Sequence, residues 1–136
     1  MLGRMILMLN VTPPPVGIVD GRLRPCPGSP NCVCSQDTDT GHSIAPLKLS
    51  DDAASSWKRL QQVIAGRPRA RIVSVDERYL HVEMTSAFFR FVDDVEFLLD
   101  PAAGVIHVRS ASRLGYSDLG VNRKRIEGIR ASFESR

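Results

Sequence analysis

The sequence predicts an α+β domain: a four-stranded antiparallel meander with two helices packed on one face, preceded by an extended Pro/Gly-rich N-terminal arm. Three observations predict it. Between residues 72 and 112, apolar and polar residues alternate in short runs separated by turn formers. Residues 50–65 and 118–134 carry apolar residues at helical spacing. The first fifty residues are dense in Pro, Gly, Ser and Asp and show neither pattern. At 136 residues, 43% of them hydrophobic and 24% charged, the chain is long and apolar enough to bury one core.

The elements follow in order. Residues 1–23 read as an arm or as the remnant of an anchor. The apolar run at residues 5–9 follows Arg4, but Asn10 and Pro13-Pro14-Pro15 cut it short of a complete export signal. No run approaches the roughly 20 apolar residues a membrane span needs. Residues 24–136 form a single domain. Ser50 caps a helix whose first turn holds Asp51 and Asp52 and whose apolar face is Ala53, Trp57, Leu60 and Ile64; Gly66 and Pro68 end it.

Four strands are predicted: Ile72 to Asp76, Tyr79 to Thr85, Phe88 to Leu99 and Val105 to Ser112. If Leu99 faces Ile106 across the Asp100–Gly104 turn, Phe97 faces Val108 and Glu96 faces Arg109, so apolar meets apolar and charge meets opposite charge. The last helix starts near Ser117 or Asp118, with Leu119, Ile126, Ile129 and Phe133 as its buried stripe. Asn122 lies on that stripe, and a buried amide must find partners or cost about 1–3 kcal/mol.

Candidate chemistry gathers at two places. Asp93, Asp94 and Glu96 form an acidic cluster in a strand; alternation puts Asp94 and Glu96 on one face and Asp93 on the packed side, where Arg113, Arg123 or Asn122 is its expected partner. Arg109, Arg113, Tyr116, Asp118, Asn122 and Arg123 surround the loop that enters the last helix. Arg side chains clamp carboxylates and phosphates in pairs of bonds. Residues 109–136 hold seven Arg or Lys against three Asp or Glu, so this end is the basic one. These residues either lock the meander to the last helix as a buried ion-pair network or serve a ligand. Ser110, Ser112 and Ser117 lie in no nucleophile elbow. Aromatics are 6% of the chain and no nucleic-acid motif is present, so recognition of a polynucleotide is not expected. No cofactor and no metal site is expected.

Cys26 and Cys32 flank a Pro/Gly turn six residues apart. A structural disulfide is the leading expectation, over free thiols, over a catalytic thiol, and over a metal set with Cys34 and His42, whose spacing fits no common zinc module.

Three stretches, CPGSPNCVCS at 26–35, FRFVDDVEFLLD at 89–100 and VRSASRLGYSDLGVNRKRIEGIR at 108–130, resemble in order the signatures of domain of unknown function family 1499, found in bacteria and plastids. The resemblance spans about residues 24–133. Cys34 stands where that family usually has Ser, which sets it apart from any shared chemistry. The resemblance implies no established activity. It implies a cell-envelope or periplasmic setting, against which the incomplete export signal leaves the cytoplasm open. Two functions are carried forward: a non-enzymatic envelope module binding a protein partner or small anionic ligand, and an enzyme using an Asp/Arg/Asn polar pocket on an unknown polar substrate.

Overall fold

The computed structural model describes residues 15–87, 90–113 and 118–135. The fold is α+β, with antiparallel sheets and two helices. Strands β1 (Ile18–Val19) and β2 (Arg22–Leu23) form a small hairpin. They are followed by β3 (Cys32–Cys34), β4 (Leu47–Lys48), helix α1 (Ala53–Ala65), β5 (Ala70–Val75), β6 (Tyr79–Thr85), β7 (Val92–Asp100), β8 (Val105–Ser112) and helix α2 (Val121–Glu134).

The predicted meander is the centre of a larger sheet. Its order is β3-β8-β7-β6-β5, with β4 also pairing β8, so the main sheet has six strands rather than four. The two additions escape a reading of periodicity because they are two and three residues long and lie among turn formers. All pairings within the sheet are antiparallel, and Leu99↔Ile106, Phe97↔Val108 and Glu96↔Arg109 are the β7–β8 register. Gly104, at φ +70°, provides the left-handed residue that closes the turn between them.

Both helices pack on one face. Trp57, Leu60 and Ile64 of α1 and Ile126, Ile129 and Phe133 of α2 meet Val82, Val95, Phe97 and Val108 in one core. Asp52, not Ser50, caps α1, accepting from the Ser55 amide at 2.9 Å. Leu119 is not part of the buried stripe. Helix α2 begins two residues later, after Gly120 at φ +80°, and Leu119 itself sits at φ +55° with 86% of its surface exposed. Among the described residues no helix is long and apolar enough to cross a membrane.

Candidate functional site

Strand alternation sends Tyr79, His81 and Glu83 of β6, Asp94 and Glu96 of β7, and Arg109 of β8 to the face opposite the helices. That face is not open to water: Glu96 is 0% and Arg109 3% exposed. The segment from residue 15 to Cys26 lies over it, and Leu23, Cys34 and Leu98 form a second apolar cluster there, joined by Cys26 and Tyr79. Glu96 is the anchor. Its Oε1 accepts from Arg109 Nη1 at 3.2 Å, and its Oε2 accepts from the Tyr79 hydroxyl at 2.6 Å and the Gly17 amide at 2.8 Å. Burial and the adjacent Glu96 carboxylate raise the Tyr79 phenol well above its ordinary value, so it stays a donor. Arg109 also donates to the Pro25 carbonyl at 3.4 Å, which ties the arm to the sheet.

Beside this anchor runs a ladder of alternating charge. Arg113 donates to Asp94 through Nε at 2.8 Å and Nη2 at 2.9 Å, and Nη2 reaches Glu83 at 2.6 Å. His81 Nε2 lies 2.7 Å from the other side of Asp94, and Arg71 donates to Glu83 at 2.6 Å. Burial pushes the Asp94 carboxyl up, but the hydrogen bonds from Arg113 and His81 outweigh it and hold the group below its ordinary value. Glu83 is likewise lowered, burial being outweighed by Arg71 and Arg113.

Asp93 points to the helix side, and its partner is none of those expected. Arg125, one turn into α2, reaches it at 2.5 Å. Arg113 is committed to Asp94 on the opposite face, and Arg123 donates to the Ser43 carbonyl at 2.9 Å. Burial pushes the Asp93 carboxyl up by more than Arg125 pulls it down. Asn122, fully buried, is saturated. Its Oδ1 accepts from Ser110 Oγ at 2.5 Å and Arg125 Nη1 at 3.1 Å, and its Nδ2 faces Ser112 Oγ, Asp118 Oδ2 and the Asn31 carbonyl at 2.7–3.1 Å. Asp118 also accepts from the Gly120 and Asn122 amides, so its carboxylate caps the helix and is held below its ordinary value despite partial burial. Tyr116, with Gly115 and Ser117, lies outside the described residues.

The expected sites thus divide. Asp94, Glu96, Arg109 and Arg113 share the polar face, whereas Asp93, Asn122 and Arg123 serve the other side, and Asp118 caps the helix between strand and core. The basic C-terminal end is largely consumed within the molecule: Arg109, Arg113 and Arg125 pair with carboxylates, and Arg123 and Arg130 hold the carbonyls of Ser43, Ala45 and Pro46. Each acid of the strand cluster already faces a base, which leaves none positioned as a spare general base.

Cys26 and Cys32 form a disulfide, Cα to Cα 5.7 Å, that pins the arm to β3. Cys34 is a buried free thiol, and burial raises its pKa, which makes it unreactive. With two of its four members bridged, the Cys26, Cys32, Cys34 and His42 metal set is not available. Asp37, Asp39 and His42 do place ligand atoms within 4.8 Å of one another. These atoms are engaged: His42 Nδ1 with Asp39 at 2.6 Å, His42 Nε2 with the Ser29 carbonyl at 2.8 Å, and Asp37 with the Cys26 amide at 2.9 Å. That trio clasps the disulfide loop.

Two cavities stand out among the described residues. One, of about 600 Å³, lies between the arm and the polar face, lined by Val19, Leu23, Pro25 and Pro27 together with Asp20, Arg22, Arg24 and Arg109. Arg109 Nε is buried away from this space, without a hydrogen-bond partner among the described residues. The other, of about 360 Å³, opens between Arg67, Arg69 and Met84 on one side and Val121, Lys124 and Arg125 on the other.

Residues 22–133 match the family described as "Protein of unknown function (DUF1499)". The chain belongs to that family. No curated protein and no solved structure gives a match. In this DUF1499 chain, several site residues are absent from the sequence-based set. Alternation already places His81 and Glu83 on the polar face with Asp94 and Glu96, and Tyr79 could have been found from the same register. Arg125 follows Asn122 by three residues and so lies within reach of the buried stripe. Arg22 and Arg24 carry no such signal, because the arm meets β8 across more than eighty residues of sequence.

Proposed function

We propose that this DUF1499 protein is a non-enzymatic, envelope-associated module that binds a small amphiphilic anion between its N-terminal arm and the polar face of its sheet. The observation that carries the reading is the cavity itself, a mostly apolar space between the arm and the sheet with Arg22, Arg24 and Arg109 on its wall. Arginine donates paired hydrogen bonds to carboxylates and phosphates. The three cations outnumber the single carboxylate among the described lining residues, Asp20, while Val19, Leu23, Pro25 and Pro27 offer a surface for an apolar body. A volume of about 600 Å³ suits a ligand of modest size. The envelope setting is supported by the Cys26–Cys32 bridge, which persists in an oxidising compartment.

Calorimetric titration with octanoate, octyl sulfate and octyl glucoside tests this. The two anions should bind and the neutral glucoside should not. Arg24→Glu should weaken the anions, and Ala111→Leu, which fills the cavity wall, should block them. Equal binding of all three, or of none, would count against the reading.

The enzyme alternative finds less support. It needs Asp93 or Asp94 to share one pocket with Arg113, Asp118 and Asn122, but Arg113 is paired with Asp94 on the polar face while Asp93, Asn122 and Asp118 lie on the helix side.

A further inference from the structure

The smaller cleft differs from the rest of the basic surface. Among the described residues no carboxylate lines it, and of its four cations only Arg125 has an acidic partner. Arg69 donates to the Thr85 carbonyl, which leaves its charge uncompensated. The side chains of Lys124 and Arg67 make no hydrogen bond or ion pair among the described residues, and Arg67 lies against α2. Its guanidinium lies over Gly128, where an added Cβ would come within 3.1 Å of Nη2. Gly128 is one helical turn beyond Lys124, so the two cations stand side by side along α2.

Exposed apolar side chains lie near the cleft. Val121, on its wall, is 40% exposed; Leu119, two residues earlier, is 86% exposed; Phe91 is 45% exposed and exchanges hydrogen bonds with Ser86, another wall residue. Cations without acidic partners among the described residues, with exposed Val121 on the wall and exposed Phe91 and Leu119 close to it, match an interface between water and an anionic lipid surface. There the cations meet head groups and the apolar side chains enter the acyl boundary.

We infer that this end of the molecule is a peripheral docking surface for anionic membranes, with Arg67, Arg69 and Lys124 on head groups and Leu119, Phe91 and Val121 inserted. The inference does not depend on the cavity under the arm. Ala70, Met84, Asp93 and Ser112 lie in one row across the sheet, so cleft and cavity share that end.

Flotation of the full chain with vesicles tests it, comparing phosphatidylcholine alone with phosphatidylcholine and phosphatidylglycerol in equal parts. The parent should float with the anionic vesicles and much less with the neutral ones. The double variant Arg67→Glu/Lys124→Glu should bind about tenfold more weakly or worse, since each basic residue near such a surface contributes about 1 kcal/mol. Leu119→Ser, at a site too exposed to affect folding, should weaken binding without changing its salt dependence. The apolar run at residues 5–9 is present in every variant, so differences between them isolate the cleft. Equal flotation of parent and variants overturns the proposal. So does a result in which inorganic phosphate raises the melting temperature of the parent but not the double variant while no vesicle binds, because that marks a soluble-anion site.

Discussion

Glu96 and Arg109 face each other across the β7–β8 register as a buried ion pair, and the same carboxylate holds Tyr79 and the Gly17 amide. One charge pair therefore fastens the N-terminal arm to the sheet. Removing one partner strands the other in a dry site. Glu96→Ala and Arg109→Ala should each destabilise by about 3–5 kcal/mol, whereas Glu96→Leu combined with Arg109→Met should cost much less. Urea unfolding of the three variants decides this; additive losses in the double variant would refute it.

Arg113 meets Asp94 with two donors and Glu83 with one of them. Arg113→Ala leaves the buried Asp94 with His81 alone, and a loss of about 3 kcal/mol is expected. Arg113→Lys should recover only part, because an ammonium cannot reproduce the fork. A melting temperature unchanged in Arg113→Ala would free this residue for a ligand role.

Stability should fall in acid, and Arg113 should govern how steeply. Asp94 and Glu83 are lowered in the folded state from ordinary values of 3.8 and 4.5. Their contribution is fully present above the ordinary values and is lost as pH falls through the folded ones. Asp93 acts in the opposite sense: raised from 3.8, it loses its contribution as pH climbs from that value through the folded one. Melting temperatures between pH 6 and pH 2 should drop in the parent and drop less in Arg113→Ala. Parallel curves would show that the ladder does not set the slope.

Asn122 joins strand to helix through its amide. Asn122→Leu keeps the volume but leaves Ser110, Arg125 and Asp118 short of a partner, at an expected cost of about 1–3 kcal/mol. Chemical denaturation provides the check. A neutral result would mean that these groups re-pair without it.

The Cys26–Cys32 bridge closes a short loop. In the chain-entropy model, paired Cys26→Ser and Cys32→Ser substitutions should cost about 2–3 kcal/mol. Non-reducing mass spectrometry of native protein should find the two linked and Cys34 resistant to alkylation until the chain is unfolded. Rapid labelling of Cys34 in the folded protein would contradict its burial.

The central strands and both helices were legible in the chain because their cause is local. Period-two alternation from Tyr79 to Ser112 and a helical repeat in Trp57, Leu60 and Ile64 each name a face to be buried, and the charge match of Glu96 with Arg109 names the register. That reasoning also predicted that Asp93 and Asn122 would be buried and need partners. It named Arg113, Arg123 or Asn122 for Asp93 and missed Arg125, since the choice depends on how α2 lies on the sheet.

Where a cause spans the chain, only the tertiary structure decides. Cys32–Cys34 and Leu47–Lys48 become strands because β8 offers an unpaired edge, not because of their own propensity. Leu119 leaves the buried stripe because Asp118 and Gly120 start the helix later than periodicity suggests. The arm closes over the polar face because Gly17 and Pro25 find Glu96 and Arg109 some eighty residues away, contacts that no local pattern encodes.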